Sequence, residues 1–93
     1  MAMEFRVVET LYFEGKLLVI YDWMKFPFAG PARNLYAYDA EGGMLWIAEA
    51  RRPGDFYTSF VGDGHSLKAA TWDCFCCTLD PKTGKIIKEE FTK

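Results

Sequence analysis

The sequence is short of most things that announce a function. It has one histidine, His65, and three cysteines, Cys74, Cys76 and Cys77, all within one short stretch. A disulfide framework needs cysteines spread along the chain, and zinc needs about four ligands from at least two segments. Neither arrangement is available, so no metal and no cofactor are expected. The three thiols read as small apolar residues packed in a strand of a protein kept in a reducing cytoplasm. No run approaches the ~20 apolar residues of a membrane span. The opening residues MAMEFRVVET lack a basic stretch followed by an apolar one, so no secretory leader is expected. Lys and Arg number 11 against 13 Asp and Glu, a net charge of −2, which argues against a nucleic-acid partner.

Apolar residues, by contrast, make up 51% of the chain and aromatics 17%, which excludes intrinsic disorder. With 93 residues there is material for one domain spanning 1–93. Its pattern is β throughout, with no helix-period segment to compete. Strands are expected at Phe5–Phe13, Lys16–Trp23, Asn34–Asp39, Met44–Glu49, Phe56–Val61, Ser66–Trp72, Cys74–Leu79 and Lys85–Phe91. Two turns share one piece of chemistry. In Asp39-Ala40-Glu41-Gly42-Gly43 and Asp80-Pro81-Lys82-Thr83-Gly84, an aspartate can accept turn amides and a closing glycine, Gly43 or Gly84, can take the left-handed position of a bulged hairpin.

These turns align with each other, Asp39 on Asp80 and Gly43 on Gly84, and NLYAYDAEGGMLW lies over FCCTLDPKTGKII. Upstream, KLLVIYDW lies over SLKAATWD once MKFPFAGPAR, residues 24–33, is treated as an insertion in the first copy. The chain therefore divides into two four-strand units, about 5–49 and about 56–91.

The run LYAYDAEGGMLW resembles the blade repeat of the pyrroloquinoline-quinone-type (PQQ) β-propellers. LDPKTGKII is similar to the same element, with Ile87 in place of the tryptophan. The chain is also similar to small bacterial proteins of comparable length whose role is uncharacterised. The resemblance covers the C-terminal halves of both units. It implies four-stranded antiparallel sheets with Trp46 docking between neighbours, and it does not extend to quinone binding, because no cofactor motif matches. A propeller closes with about four to eight blades, whereas this chain carries two units. The expected fold is thus all-β: an antiparallel meander of about eight strands in two blade-like repeats, curled into a barrel or a sandwich.

Catalysis has thin support. The available nucleophile set is Cys74 or Cys77 with His65 and Asp63 or Asp73, and nothing in the spacing favours it. The chain is read as a binding protein rather than an enzyme. Trp23, Met24, Phe26 and Phe28 crowd the insertion, stiffened by Pro27 and Pro31, and Arg33, Arg51 and Arg52 could gather beside them. Together these seven residues are the candidate partner-binding surface, since aromatic residues and arginine dominate interface energies. Trp46 and Trp72, at strand ends, are expected in the core. The function that follows is a small interaction module for another protein, with an inhibitor or immunity-type partner as one concrete version. The alternatives are a small-ligand module with the 24–33 loop as its lid, and a structural subunit of a homo-oligomer such as a homodimer.

Overall fold

The computed structural model describes residues 6–22, 33–52, 54–62 and 65–92. The strands in chain order are β1 (Val7–Phe13), β2 (Lys16–Tyr21), β3 (Leu35–Tyr38), β4 (Met44–Ile47), β5 (Tyr57–Val61), β6 (Leu67–Thr71), β7 (Phe75–Leu79) and β8 (Ile86–Phe91). No helix occurs among the described residues. Each half is a complete antiparallel meander, β1-β2-β3-β4 and β5-β6-β7-β8. The strands β4 and β5 do not pair, so the barrel does not close and the two sheets stack instead. The shortest dimension, 19 Å, fits two layers at the ~10 Å spacing of packed sheets.

Alternation sets the faces. In β6, Leu67, Ala69 and Thr71 are buried while Lys68 and Ala70 are half-exposed. In β3, Leu35 and Ala37 are buried between the half-exposed Tyr36 and Tyr38. The shared core joins Leu18, Ile20, Leu35, Ala37, Trp46 and Ala48 of the first half to Tyr57, Leu67, Ala69, Cys77 and Leu79 of the second. Each buried Leu or Ile contributes about 1.5–3 kcal/mol. The aligned positions are used on opposite faces. Leu18 and Ile20 are core residues, but their counterparts Lys68 and Ala70 point away from it. The sheets therefore stack the same way round, with unlike faces in contact.

The repeat extends to the irregularities. Register shifts fall at Val7/Glu9 in β1–β2 and at Tyr57/Ser59 in β5–β6. They recur at Ala37/Tyr38 in β3–β4 and at Thr78/Leu79 in β7–β8. Asp39 Oδ1 accepts the Glu41 and Gly43 amides at 2.9 and 2.8 Å, and Asp80 Oδ1 accepts the Lys82 amide at 2.9 Å. The left-handed glycines are Gly42 (φ 87°) and Gly84 (φ 78°), so the closing glycine of the first turn is Gly42 and not Gly43. The reason is turn length. The Asp39 amide bonds to the Gly43 carbonyl, whereas the Asp80 amide reaches Lys85, one residue further on.

The seam between the sheets is polar as well as apolar. Asn34, fully buried, behaves like an extra strand residue. Its Nδ2 donates to the Tyr21 and Tyr57 carbonyls at 2.8 and 2.9 Å, and the Tyr57 amide donates to its Oδ1 at 3.0 Å. The Glu9 carboxylate of β1 accepts the Phe60 amide of β5, linking the edge strands of the two sheets. Trp46 of β4 is 8% exposed and donates from Nε1 to the Pro81 carbonyl at 3.0 Å. Its ring lies over Gly84. Glu49 completes the seam: its amide reaches the Gly84 carbonyl at 2.8 Å, and its Oε1 accepts the Ile86 amide at 2.9 Å.

Candidate functional site

Of the seven residues singled out from the sequence, Trp23, Met24, Phe26 and Phe28 lie outside the described residues. The three arginines are placed, and they are engaged differently. Arg33, at the start of β3, donates from Nη2 to the Ile47 carbonyl at 2.7 Å and from Nε to the Ala48 carbonyl at 3.2 Å. It lines an open groove of about 420 Å³ with Ile47, Glu49, Thr83 and Lys85.

Arg51 sits in a ring of carboxylates. Its Nε donates to Asp55 Oδ2 at 2.7 Å, its Nη2 to Asp73 Oδ2 at 2.7 Å, and its Nη1 lies 3.5 Å from Glu89 Oε1. The guanidinium carbon also stands 4.0 Å above the Phe75 ring. Desolvation by burial is the largest influence on this guanidinium and works against its charge. The carboxylates outweigh it, so its pKa is raised overall. Asp55, 1% exposed, satisfies its other oxygen with the Phe56 and Asp73 amides at 2.9 and 3.0 Å. The charge of Arg51 is therefore neutralised inside the chain, and its role is to tie the 50–55 loop to the β6–β7 turn. Arg52 differs: it is 64% exposed and holds Asp73 Oδ2 at 3.2 Å.

Trp72, expected in the core, lies instead on the surface of the same turn. Trp72 is 65% exposed. Its ring stacks on Phe56 with centroids 5.8 Å apart and planes at 15°. An open groove of about 290 Å³ runs beside the pair, bordered by Val8, Tyr21 and Thr58. The backbone beneath Trp72 is fixed. Its own amide bonds to the Phe56 carbonyl at 3.0 Å, the Cys74 amide to the Thr71 carbonyl at 3.1 Å, and the Asp73 amide to buried Asp55. Cys74 takes a left-handed φ of 68° to close this turn, and the Thr92 amide bonds to its carbonyl at 2.8 Å. The local geometry thus offers a large flat ring on a rigid support, with the adjacent residue, Asp73, paired to Arg52. The period-2 pattern of β6 held the signal for this: positions 67, 69 and 71 face in, so 68, 70 and 72 face out. Asn34 and Asp55, the two most deeply buried polar residues, have no comparable signal in the sequence.

The three thiols are placed differently. Cys76 and Cys77 are buried and Cys74 is exposed. Burial, followed by the nearby Glu89 and Asp55 charges, pushes the Cys77 thiol up to about 12, so it stays protonated at neutral pH. Burial likewise raises the Tyr57 and Tyr38 hydroxyls above the ordinary range, with the Tyr21 hydroxyl, 2.7 Å away, adding to the effect at Tyr38. His65 is exposed just before β6, and Asp63 lies outside the described residues. Among the described residues no group of three His, Cys, Asp or Glu could hold a metal ion, and no helix is long and apolar enough to cross a membrane.

Fold and surface together define a class: an all-β protein of two like-stacked four-stranded units with an aromatic surface patch. Residues 1–91 match the family model described as Domain of unknown function (DUF7957), and the chain belongs to that family. Comparisons with curated proteins and with solved structures find no match.

Proposed function

We propose that this chain is a small protein-binding module whose contact surface centres on Trp72, backed by Phe56 and rimmed by Arg52. The observation that carries the reading is a 65% exposed tryptophan held on a hydrogen-bonded turn. Tryptophan and arginine are the residues that most often dominate binding energy, and a pre-fixed ring loses little entropy when it docks. Asp22, the last described residue before the insertion, borders the same groove. An inhibitor or immunity-type partner fits a chain of this size and slightly acidic charge. The unbridged thiols fit a reducing, cytoplasmic setting. The PQQ-type blade likeness belongs to the same reading and is supported by the Trp46 ring seated on the Gly84 turn.

The test is affinity capture from a lysate of the protein's own source, run with wild type, Trp72→Ala and Arg52→Glu. The reading expects one second chain that wild type retains and both variants lose. Retention of that chain by both variants would contradict it.

A further inference from the structure

The outer strand β8 reads as self-complementary. Its side chains are exposed along nearly its whole length, with Ile87 65% and Phe91 62% exposed. On one side it pairs with β7, with Cys76 opposite Glu90 and Thr78 opposite Lys88. The Thr92 amide bonds to the Cys74 carbonyl, which sets the parity of the ladder. Hydrogen-bonded pairs in an antiparallel ladder alternate. Glu90 and Lys88 therefore turn their backbone groups toward β7, and Glu89 and Phe91 turn theirs outward. Among the described residues no strand pairs with that outer edge.

An exposed edge of this length is a template for another strand, and natural sheets usually blunt such edges with charge. Here the charges are arranged so that an antiparallel copy of the same strand fits them. We propose that two copies of this chain associate edge to edge through β8, antiparallel about Glu89, making one continuous sheet of eight strands across the dimer. In that register Ile87 meets Phe91 of the second copy, and Lys88 meets its Glu90. These are two apolar and two opposite-charge pairs by symmetry. Glu89 meets its own counterpart on the axis, where the Arg51 guanidinium of each copy, 3.5 Å from the carboxylate, offsets the repulsion. A different protein offering a strand would satisfy the backbone equally well, but the sequence Ile87-Lys88-Glu89-Glu90-Phe91 matches its own reverse in both apolar and charged positions. This inference is independent of the Trp72 surface.

Sedimentation equilibrium of the purified chain from micromolar to millimolar concentration tests it. The expected result is a concentration-dependent rise from the chain mass of 10.7 kDa to twice that value. Lys88→Glu sets like charges across both pairs that flank the axis and should weaken association more than about tenfold. Adding Glu90→Lys to that variant should restore it. Both side chains are exposed, so circular dichroism should remain that of the wild type. A single-chain mass at every concentration overturns the proposal, as does a dimer that Lys88→Glu leaves unchanged.

Discussion

The ring of Trp46 occupies the space that a side chain on Gly84 would need. A Cβ built on Gly84 would lie 2.3 Å from Trp46 Cε3 and 2.8 Å from Cδ2. The two sheets are thus keyed together by a residue with no side chain in one and the largest side chain in the other. The key is closed by the Trp46 bond to the Pro81 carbonyl.

Gly84→Ala should be far more damaging than its counterpart in the first turn. At Gly84 the methyl meets both the tryptophan and a positive φ of 78°, and at Gly42 it meets only the φ of 87°, with nothing within 4 Å. Overpacking and left-handed strain together cost about 2–4 kcal/mol, and the strain alone about 1 kcal/mol. Calorimetry should show a melting decrease of roughly 10 °C or more for Gly84→Ala and about 5 °C for Gly42→Ala.

Asn34→Leu should cost about 2–4 kcal/mol in denaturant titration, because it strands the Tyr57 amide and removes the donor to a buried and a partly buried carbonyl. Asn34→Asp keeps the acceptor for Tyr57 but turns a carboxylate toward those carbonyls. Its deficit relative to wild type should shrink as pH falls and the aspartate becomes neutral.

Arg51→Met should destabilise by about 3–5 kcal/mol, since it leaves buried Asp55 without its cation. Arg51→Lys should recover only part of this, because a lysine cannot serve Asp55 and Asp73 at the same time with the fork geometry. Arg52→Ala, at an exposed pair, should change unfolding by less than about 0.5 kcal/mol. Chemical denaturation of the three variants gives the ranking.

Alkaline pH should weaken the fold. Burial raises the folded-state values of the Cys77 thiol, to about 12, and of the Tyr57 and Tyr38 hydroxyls. The unfolded chain releases these protons at roughly pH 8.5 for cysteine and 10 for tyrosine. The folded state then binds more protons than the unfolded one, so stability is fully present below about pH 8.5 and falls as pH rises beyond it. Melting curves taken across this range should show the decline, and Cys77→Ala and Tyr57→Phe should each flatten it.

Much of the fold was legible because period-2 alternation and turn chemistry are local. Leu35-Ala37 against Tyr36-Tyr38, and the aspartates at positions 39 and 80, locate strands and hairpins without any long-range knowledge. The closing glycine is Gly42, one residue before the expected Gly43, because hairpin length depends on which carbonyl the aspartate amide reaches. The proposed contact surface was harder to read. Trp72 looks like a core residue by type, and its parity in β6 is what exposes it. Asn34 is buried by its bonds to Tyr57 in the second half, and Asp55 by Arg51 and the Asp73 amide, so partners distant in sequence complete both sites.

Trp46 builds the fold, whereas Trp72 stands exposed and is the proposed contact residue. The most direct measurement is scanning calorimetry of Trp46→Phe and Trp72→Ala beside wild type. Trp46→Phe leaves the Pro81 carbonyl unserved and a gap over Gly84, and should lower melting by roughly 10 °C or more. Trp72→Ala should lower it by no more than about 5 °C, the loss of one exposed ring stack. A Trp72→Ala decrease as large as that of Trp46→Phe would show that Trp72 holds the structure together, and would contradict its assignment as a binding surface.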